Sequence, residues 1–153
     1  MPLAPSQARG LAVTSIGRVR TPWSRGNCPK NMAAARAAGQ IATLMIDPEY
    51  RPGLLGLDRA SHLILLGWFT DTDRDALVVH PEHLTTPQGC FALRSPVRPN
   101  PIGVSIVRRL SLGQAAGLVT IEALDWFDGT QIIDIKPYYP TTDLYPDAEI
   151  VEP

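Results

Sequence analysis

The sequence predicts a mainly β protein, a compact antiparallel β-barrel with short helices, and three observations lead there. Fifteen prolines and twelve glycines in 153 residues leave little room for long helices. The apolar residues fall instead into short segments, most of them alternating, with turn signals between them. No Gly-x-Gly-x-x-Gly loop opens a βαβ unit, and Gly53 to Gly56 does not fit one. A closed or nearly closed antiparallel sheet follows, and a Rossmann fold does not.

Each element has its own signal. Val13 to Val19 reads as a strand that stops at Thr21-Pro22. Asn31 to Gly39, alanine-rich and ending in glycine, is the one clear helix. Ile41 to Ile46 is a strand ended by Asp47-Pro48, and Leu54 to Arg59 adds a helical turn. His62 to Phe69 is nearly continuous in apolar residues, as in a strand buried on both faces. Ile102, Val104 and Ile106 alternate with Gly103, Ser105 and Val107. Leu118 to Leu124 puts Val119, Ile121 and Ala123 on one face. Gln131 to Lys136 puts Ile133 and Ile135 opposite Ile132 and Asp134. Between the last two strands, Asp125 to Thr130 contains Asp128-Gly129, a hairpin signal because glycine accepts positive φ.

One domain spanning 11–147 is expected, with residues 1–10 and 148–153 as flexible ends. No apolar run is long enough to cross a bilayer, and no basic stretch leads into an apolar one at the N-terminus. Cys28 and Cys90 stand in no metal-ligand spacing, and His80-Pro81-Glu82-His83 offers two histidines without a third partner. A reduced, cytoplasmic protein without metal or membrane contact is the expectation. The net charge of −1 carries no global nucleic-acid signal, and its distribution says more than the sum. Basic residues stand without acidic ones from Met1 to Ile46 and from His83 to Ile121, whereas Asp125 to Pro153 is strongly acidic. Such segregation is compatible with one face meeting a polyanion or an anionic cofactor.

The most unusual segment runs from Phe91 to Ser105 and reads FALRSPVRPNPIGVS. Pro96, Pro99 and Pro101 fix φ and push their predecessors toward extended shapes, so the loop should be stiff. Arg94, Arg98 and Asn100 would then meet a ligand with little ordering cost, and an arginine fork suits a carboxylate. These features mark a binding site without naming a reaction.

The same segment resembles the signature of the TrmO/TsaA-like family, also called YaeB-like. Asp128 to Pro140, reading DGTQIIDIKPYYP, resembles the second family block. Ile16 to Trp23 and Gly56 to His62 are similar to its N-terminal and central strands. The matches come in the family's order from Ile16 to Asp147. The resemblance implies a non-Rossmann β-barrel methyltransferase, usually a homodimer, that uses S-adenosylmethionine. Members of known activity methylate N6 of threonylcarbamoyladenosine beside the anticodon of tRNA. By the family pattern the cofactor contacts fall on Pro29, Lys30 and Asn31, on Thr70 and Asp71, and on Asp128, Gly129 and Thr130. The signature adds Arg94, Ser95, Pro96, Arg98, Asn100, Pro101, Gly103 and Ile106. Many members have Pro-Arg-Gln at Pro29-Lys30-Asn31, some have His-Gln at Thr70-Asp71, and proline is usual at Gln131. The characterised bacterial tRNA enzyme also carries a C-terminal extension that this sequence lacks. A small-molecule acceptor and a non-catalytic cofactor-binding module are therefore alternatives to the tRNA substrate. An N6 nitrogen bearing a carbamoyl group needs deprotonation, for which Asp134 and Asp125 are the candidate bases; Asp134 has Lys136 as an alternative, structural partner.

Overall fold

The computed structural model describes residues 10–151; of the ends expected to be flexible, 1–10 and 148–153, residues 1–9 and 152–153 lie outside the described residues. Six antiparallel strands close into a barrel: β1 (Gly17–Arg20), β2 (Ala42–Ile46), β3 (His62–Trp68), β6 (Ile102–Gly113), β7 (Leu118–Ile121) and β8 (Gln131–Pro137). Their order around the wall is β1-β2-β7-β6-β3-β8, and β8 shuts the barrel by pairing with both β3 and β1. A separate two-stranded ribbon, β4 (Val78–Val79) with β5 (Gln88–Gly89), lies between β3 and β6 in the chain.

Closure follows from the alternation read in the sequence. Val19, Leu44, Ile46, Leu63, Leu65, Val107, Val119, Ile121 and Ile132 point inward and are buried, joined by Leu54, Leu124 and Trp126. The helix α1 (Met32–Ala38) lies where expected: the Asn31 side chain accepts a hydrogen bond from the Ala34 amide, and Gly39 ends it at φ 66°. Arg36 of α1 meets Glu122 at 3.5 Å, and Arg108 of β6 meets the same carboxylate at 3.8 Å. The expected helical turn near Leu54 consists of two 3-10 turns, Pro48–Leu54 and Leu57–Arg59.

Four expectations change, the first being β1, which begins at Gly17 and ends at Arg20, not at Val13 and Val19. The segment after β7 is not a hairpin, because β7 is already paired on both edges, with β2 and β6. Residues 122–130 instead cross one end of the barrel, burying Ala123, Leu124 and Trp126, and the Asp128-Gly129 turn delivers the chain into β8 beside β1. The tight hairpin is the one between β6 and β7, where Gly117 sits at φ 69°. In β8 a bulge falls between Leu66 and Gly67 of the neighbouring strand, which face Asp134 and Ile132 respectively. The bulge leaves Ile133 unpaired, so Ile132 and Ile135, not Ile133 and Ile135, share the inner side. Finally, β3 is fully buried on one face only: Leu63 and Leu65 are at 0% exposure, while His62, Ile64, Leu66 and Trp68 are half-buried outside.

The end crossed by residues 122–130 has one exacting contact. Gly67 and Gly103 are cross-strand partners on β3 and β6. A Cβ on Gly67 would overlap the Trp126 ring, and one on Gly103 would overlap the Phe69 ring. Those rings stack edge-to-face with centroids 5.4 Å apart. Gly67→Ala is therefore expected to lower unfolding stability by roughly 1–3 kcal/mol, as overpacking against a rigid indole does, and a thermal or urea melt measures it.

Candidate functional site

Antiparallel pairing gathers the expected site segments at one end of the barrel. Trp68 of β3 faces Ile102 of β6 and Gln131 of β8, so the residues after Trp68, before Ile102 and before Gln131 are neighbours. The Phe69 amide donates to the Pro101 carbonyl at 2.8 Å. The chain leaving β1 joins the same end: the Asp128 amide donates to the Trp23 carbonyl at 2.8 Å, and the Thr21 amide donates to Asp128 Oδ1 at 3.0 Å. Trp23 Nε1 donates to the Leu124 carbonyl at 2.8 Å, and Cys28 Sγ lies 3.2 Å from the Asp125 carbonyl. These bonds set Pro29, Lys30 and Asn31, Thr70 and Asp71, the 94–103 loop and Asp128–Thr130 around one rim.

Within that rim the side chains divide into braces and free groups. Asn31 caps α1, Ser95 Oγ accepts from the Val97 amide at 3.2 Å, and Thr130 Oγ1 donates to the Phe127 carbonyl at 2.7 Å. Gly129 takes φ 80°, and its amide donates to the Val19 carbonyl. Pro101 and Gly103 are buried, whereas Pro96 and Asn100 are exposed. Arg98 turns back into its own loop, donating to the Leu93 and Ser95 carbonyls at 2.8 and 3.1 Å. Arg74, which no sequence motif singles out, donates from Nε to the Pro99 carbonyl at 2.7 Å and covers the Trp68 ring at 5.2 Å. Arg94 is different. It is exposed and, among the described residues, forms no ion pair or side-chain hydrogen bond, so its fork is free above a braced loop.

The two carboxylates singled out from the sequence part company. Asp134 lies on the outer face of β8, 2.8 Å from Lys136, with Oδ1 accepting from the Ile135 amide. Asp125 lies in the crossing segment at the rim, and its Oδ1 is buried with no protein partner. Burial raises its pKa above the ordinary carboxylate value, against a smaller opposing pull from its own backbone and from Arg36. Ile106 stands apart from the rim, farther along β6 and on the outer wall opposite Ile64. His62 meets Ser61 Oγ through Nδ1 at 2.8 Å at the far end of β3. There, with Tyr138 and Tyr139, it lines a groove of about 970 Å³ that none of the expected cofactor residues touches. The rim itself is open to solvent. It carries the exposed guanidinium of Arg94 and the buried, unpartnered Oδ1 of Asp125, and the Thr72 hydroxyl, next to Asp71 in the chain, is also buried without a partner. Such a set fits a small zwitterionic ligand with hydrogen-bonding groups at both ends.

Comparison with known proteins places this geometry. A family model described as the tRNA-methyltransferase O N-terminal domain matches residues 18–144. An Archaeoglobus fulgidus protein named "S-adenosyl-L-methionine-binding protein" is 36% identical over 144 residues, covering 94% of this chain and 100% of that one. A longer protein of that organism, named "Probable S-adenosyl-L-methionine-binding protein", is 38% identical over 140 residues, covering 92% of this chain and 37% of its own length. The crystal structure of TrmO from Pseudomonas aeruginosa superposes with a TM-score of 0.72 at 33% identity, over 92% of this chain and 61% of that one. The chain thus spans only part of several longer relatives.

The thiol beside Asp125 provides a test of the rim's electrostatics. Burial first, and the Asp125 charge second, push Cys28 from the ordinary 9.0 to about 11. The fold favours the protonated thiol, so this contribution to stability is present below pH 9 and is lost as pH rises toward 11. At pH 8 alkylation of Cys28 is expected to be on the order of 100-fold slower than in the urea-unfolded chain, as measured by peptide mass spectrometry. Equal rates in the two states would contradict the environment described.

Proposed function

Because the chain belongs to the family of the tRNA-methyltransferase O N-terminal domain, we propose that it binds S-adenosylmethionine at this rim and methylates N6 of threonylcarbamoyladenosine beside the anticodon of tRNA. The observation that carries the reading is Arg94: a free guanidinium on a proline-stiffened loop braced by Arg98, among the segments the family pattern assigns to the cofactor. Arg94 would take the carboxylate at the methionine end of the cofactor with two parallel hydrogen bonds. The backbone of Asp128–Thr130, the Pro29-Lys30-Asn31 strip and Thr70-Asp71 would line the rest. When bound, the cofactor supplies an electrophilic methyl group on a positively charged sulfur.

The chain's own part is to position, to exclude water and to hold a proton. Phe69 and Trp126 floor this end of the barrel with apolar rings, which keeps the site drier than an open surface. Of the two candidate bases, Asp125 is the better suited, because it lies at the rim and its raised pKa brings it closer to a neutral working pH. Asp134, tied to Lys136 on the outer wall, is a structural ion pair in this reading. Arg20, Arg25 and Lys30 are exposed on the segments of this end. They would meet RNA phosphates, while Asp73 and Asp128 are occupied by backbone amides. No helix among the described residues is long and apolar enough to cross a membrane, and the reading places the protein in the cytoplasm with tRNA.

Self-association belongs to the same proposal. Trp68 with Ile102, Leu66 with Val104 and Ile64 with Ile106 form three apolar cross-strand pairs on the outer wall. Ile102, Val104 and Ile106 are 41%, 42% and 44% exposed, an uncommon amount of aliphatic surface for one sheet face. A second copy docked there gives Ile106 a role that it lacks at the rim. Val104→Asp is expected to convert a homodimer to monomer in sedimentation velocity; an unchanged sedimentation coefficient would leave this face without that partner.

The decisive experiment is calorimetric titration of S-adenosylmethionine into wild type, Arg94→Ala and Asp125→Asn, followed by methyl transfer to bulk tRNA. Arg94→Ala should lose at least about tenfold in affinity, on the order of one charge-assisted bond pair. Asp125→Asn should still bind while transfer falls by roughly 100-fold, as loss of a general base does. Binding without any labelled tRNA would favour a small-molecule acceptor or a non-catalytic binding module, and absence of binding to wild type would overturn the reading.

A further inference from the structure

Two segments assigned to the cofactor, Thr70-Asp71 and the 94–103 loop, are far apart in the chain, and their backbones meet at Phe69 and Pro101. One side chain spans the gap between them. Arg74 follows Asp71, a non-glycine residue held at φ 58°, within a turn in which Asp73 Oδ1 accepts from the Asp75 and Ala76 amides at 2.9 and 3.2 Å. That turn aims Arg74 back over the barrel wall. Its guanidinium covers the Trp68 ring at 5.2 Å, and Nε donates to the Pro99 carbonyl at 2.7 Å. Pro99 is the middle of the three prolines of the loop, and on the loop's inner side Arg98 holds Leu93 and Ser95. Two arginines therefore brace the loop, and of their side chains only that of Arg74 reaches it from another segment, adding to the Phe69–Pro101 backbone bond.

We propose that Arg74 is a positioning residue of the site: it fixes the separation between the Thr70-Asp71 segment and the loop that presents Arg94, and so sets cofactor affinity without touching the cofactor. The inference rests on the cofactor reading given above. The chemistry requires arginine in particular. The planar guanidinium can lie over an indole while its in-plane Nε–H points at a carbonyl, whereas a lysine ammonium has no such plane. A hydrogen bond to a loop carbonyl together with a cation–π contact is enough to shift a binding equilibrium by about tenfold.

The test combines calorimetric titration of S-adenosylmethionine with amide hydrogen exchange on the full chain for wild type, Arg74→Ala, Arg74→Lys and Arg94→Ala. Arg74→Ala should bind about tenfold more weakly and raise exchange in both 70–76 and 93–100, with the barrel strands unchanged. Arg74→Lys should recover at most part of the affinity. Arg94→Ala should lose affinity with wild-type exchange in both segments, which separates a ligand contact from a positioning one. Unaltered affinity in Arg74→Ala, or faster exchange confined to 70–76, would overturn the inference while leaving the cofactor reading intact. Failure of wild type to bind would remove the cofactor reading itself.

Discussion

The packing of Trp126 and Phe69 against a cross-strand pair of glycines governs how this barrel is built. Gly67 and Gly103 face each other on β3 and β6, and the absence of two Cβ atoms leaves room for two large rings. Once Trp126 occupies that room, residues 122–130 must cross the barrel end instead of folding back on β7. The crossing carries Asp128-Gly129 to the exit of β1, where the Asp128 carboxylate holds the Thr21 amide and Gly129 bonds to Val19. β8 then starts between β1 and β3, where the sheet still has two open edges. Closure of the barrel and assembly of the rim are consequences of one steric fit.

Most strands were legible in the sequence because one face had to be buried, although β1 starts at Gly17 and not at the expected Val13. β2, β3 and β8 lie close to their expected bounds, and α1 lies inside its own, because alternation and capping are local signals. What local signals could not carry was pairing. Asp128-Gly129 does turn the chain, but a turn becomes a hairpin only if the strand before it has a free edge, and β7 has none. Nor does the sequence mark the bulge at Ile133, since the run of apolar and amphipathic residues there fits either parity until Gly67 and Leu66 choose one. β6 runs to Gly113, well past the expected stretch, because its second half leaves β3 and pairs with β7.

For the rim, the resemblance supplied the expected segments, and the prolines of the 96–101 loop supplied the expectation that it is stiff. The division of labour among the arginines was not. Arg94, Arg98 and Arg74 are the same residue type in comparable surroundings, and only three-dimensional placement shows two of them tied to carbonyls and leaves Arg94, among the described residues, without such a bond. Asp125 and Asp134 illustrate the same limit. Each has an aromatic or aliphatic neighbour in the chain, yet one keeps a buried carboxylate oxygen without a partner while the other meets Lys136 in the open.

On the reading proposed above, this barrel rim answers a different recognition problem from the one solved by nucleotide-binding α/β folds. Those folds meet a pyrophosphate with a helix N-terminus and a glycine-rich turn, because a delocalised polyanion is best met by several amides. A methyl donor built on an amino acid presents a single carboxylate and a positively charged sulfur, and no phosphate at all. One bidentate guanidinium suits the first, so no row of backbone amides has to gather a delocalised charge. The demand then shifts from charge to rigidity, since a lone arginine on a mobile loop would forfeit its gain in ordering entropy. Three prolines, an inward brace from Arg98 and an outward one from Arg74 supply that rigidity without a helix. The closed sheet thereby contributes what a Rossmann sheet contributes elsewhere: a fixed wall from which short, stiff loops can be aimed.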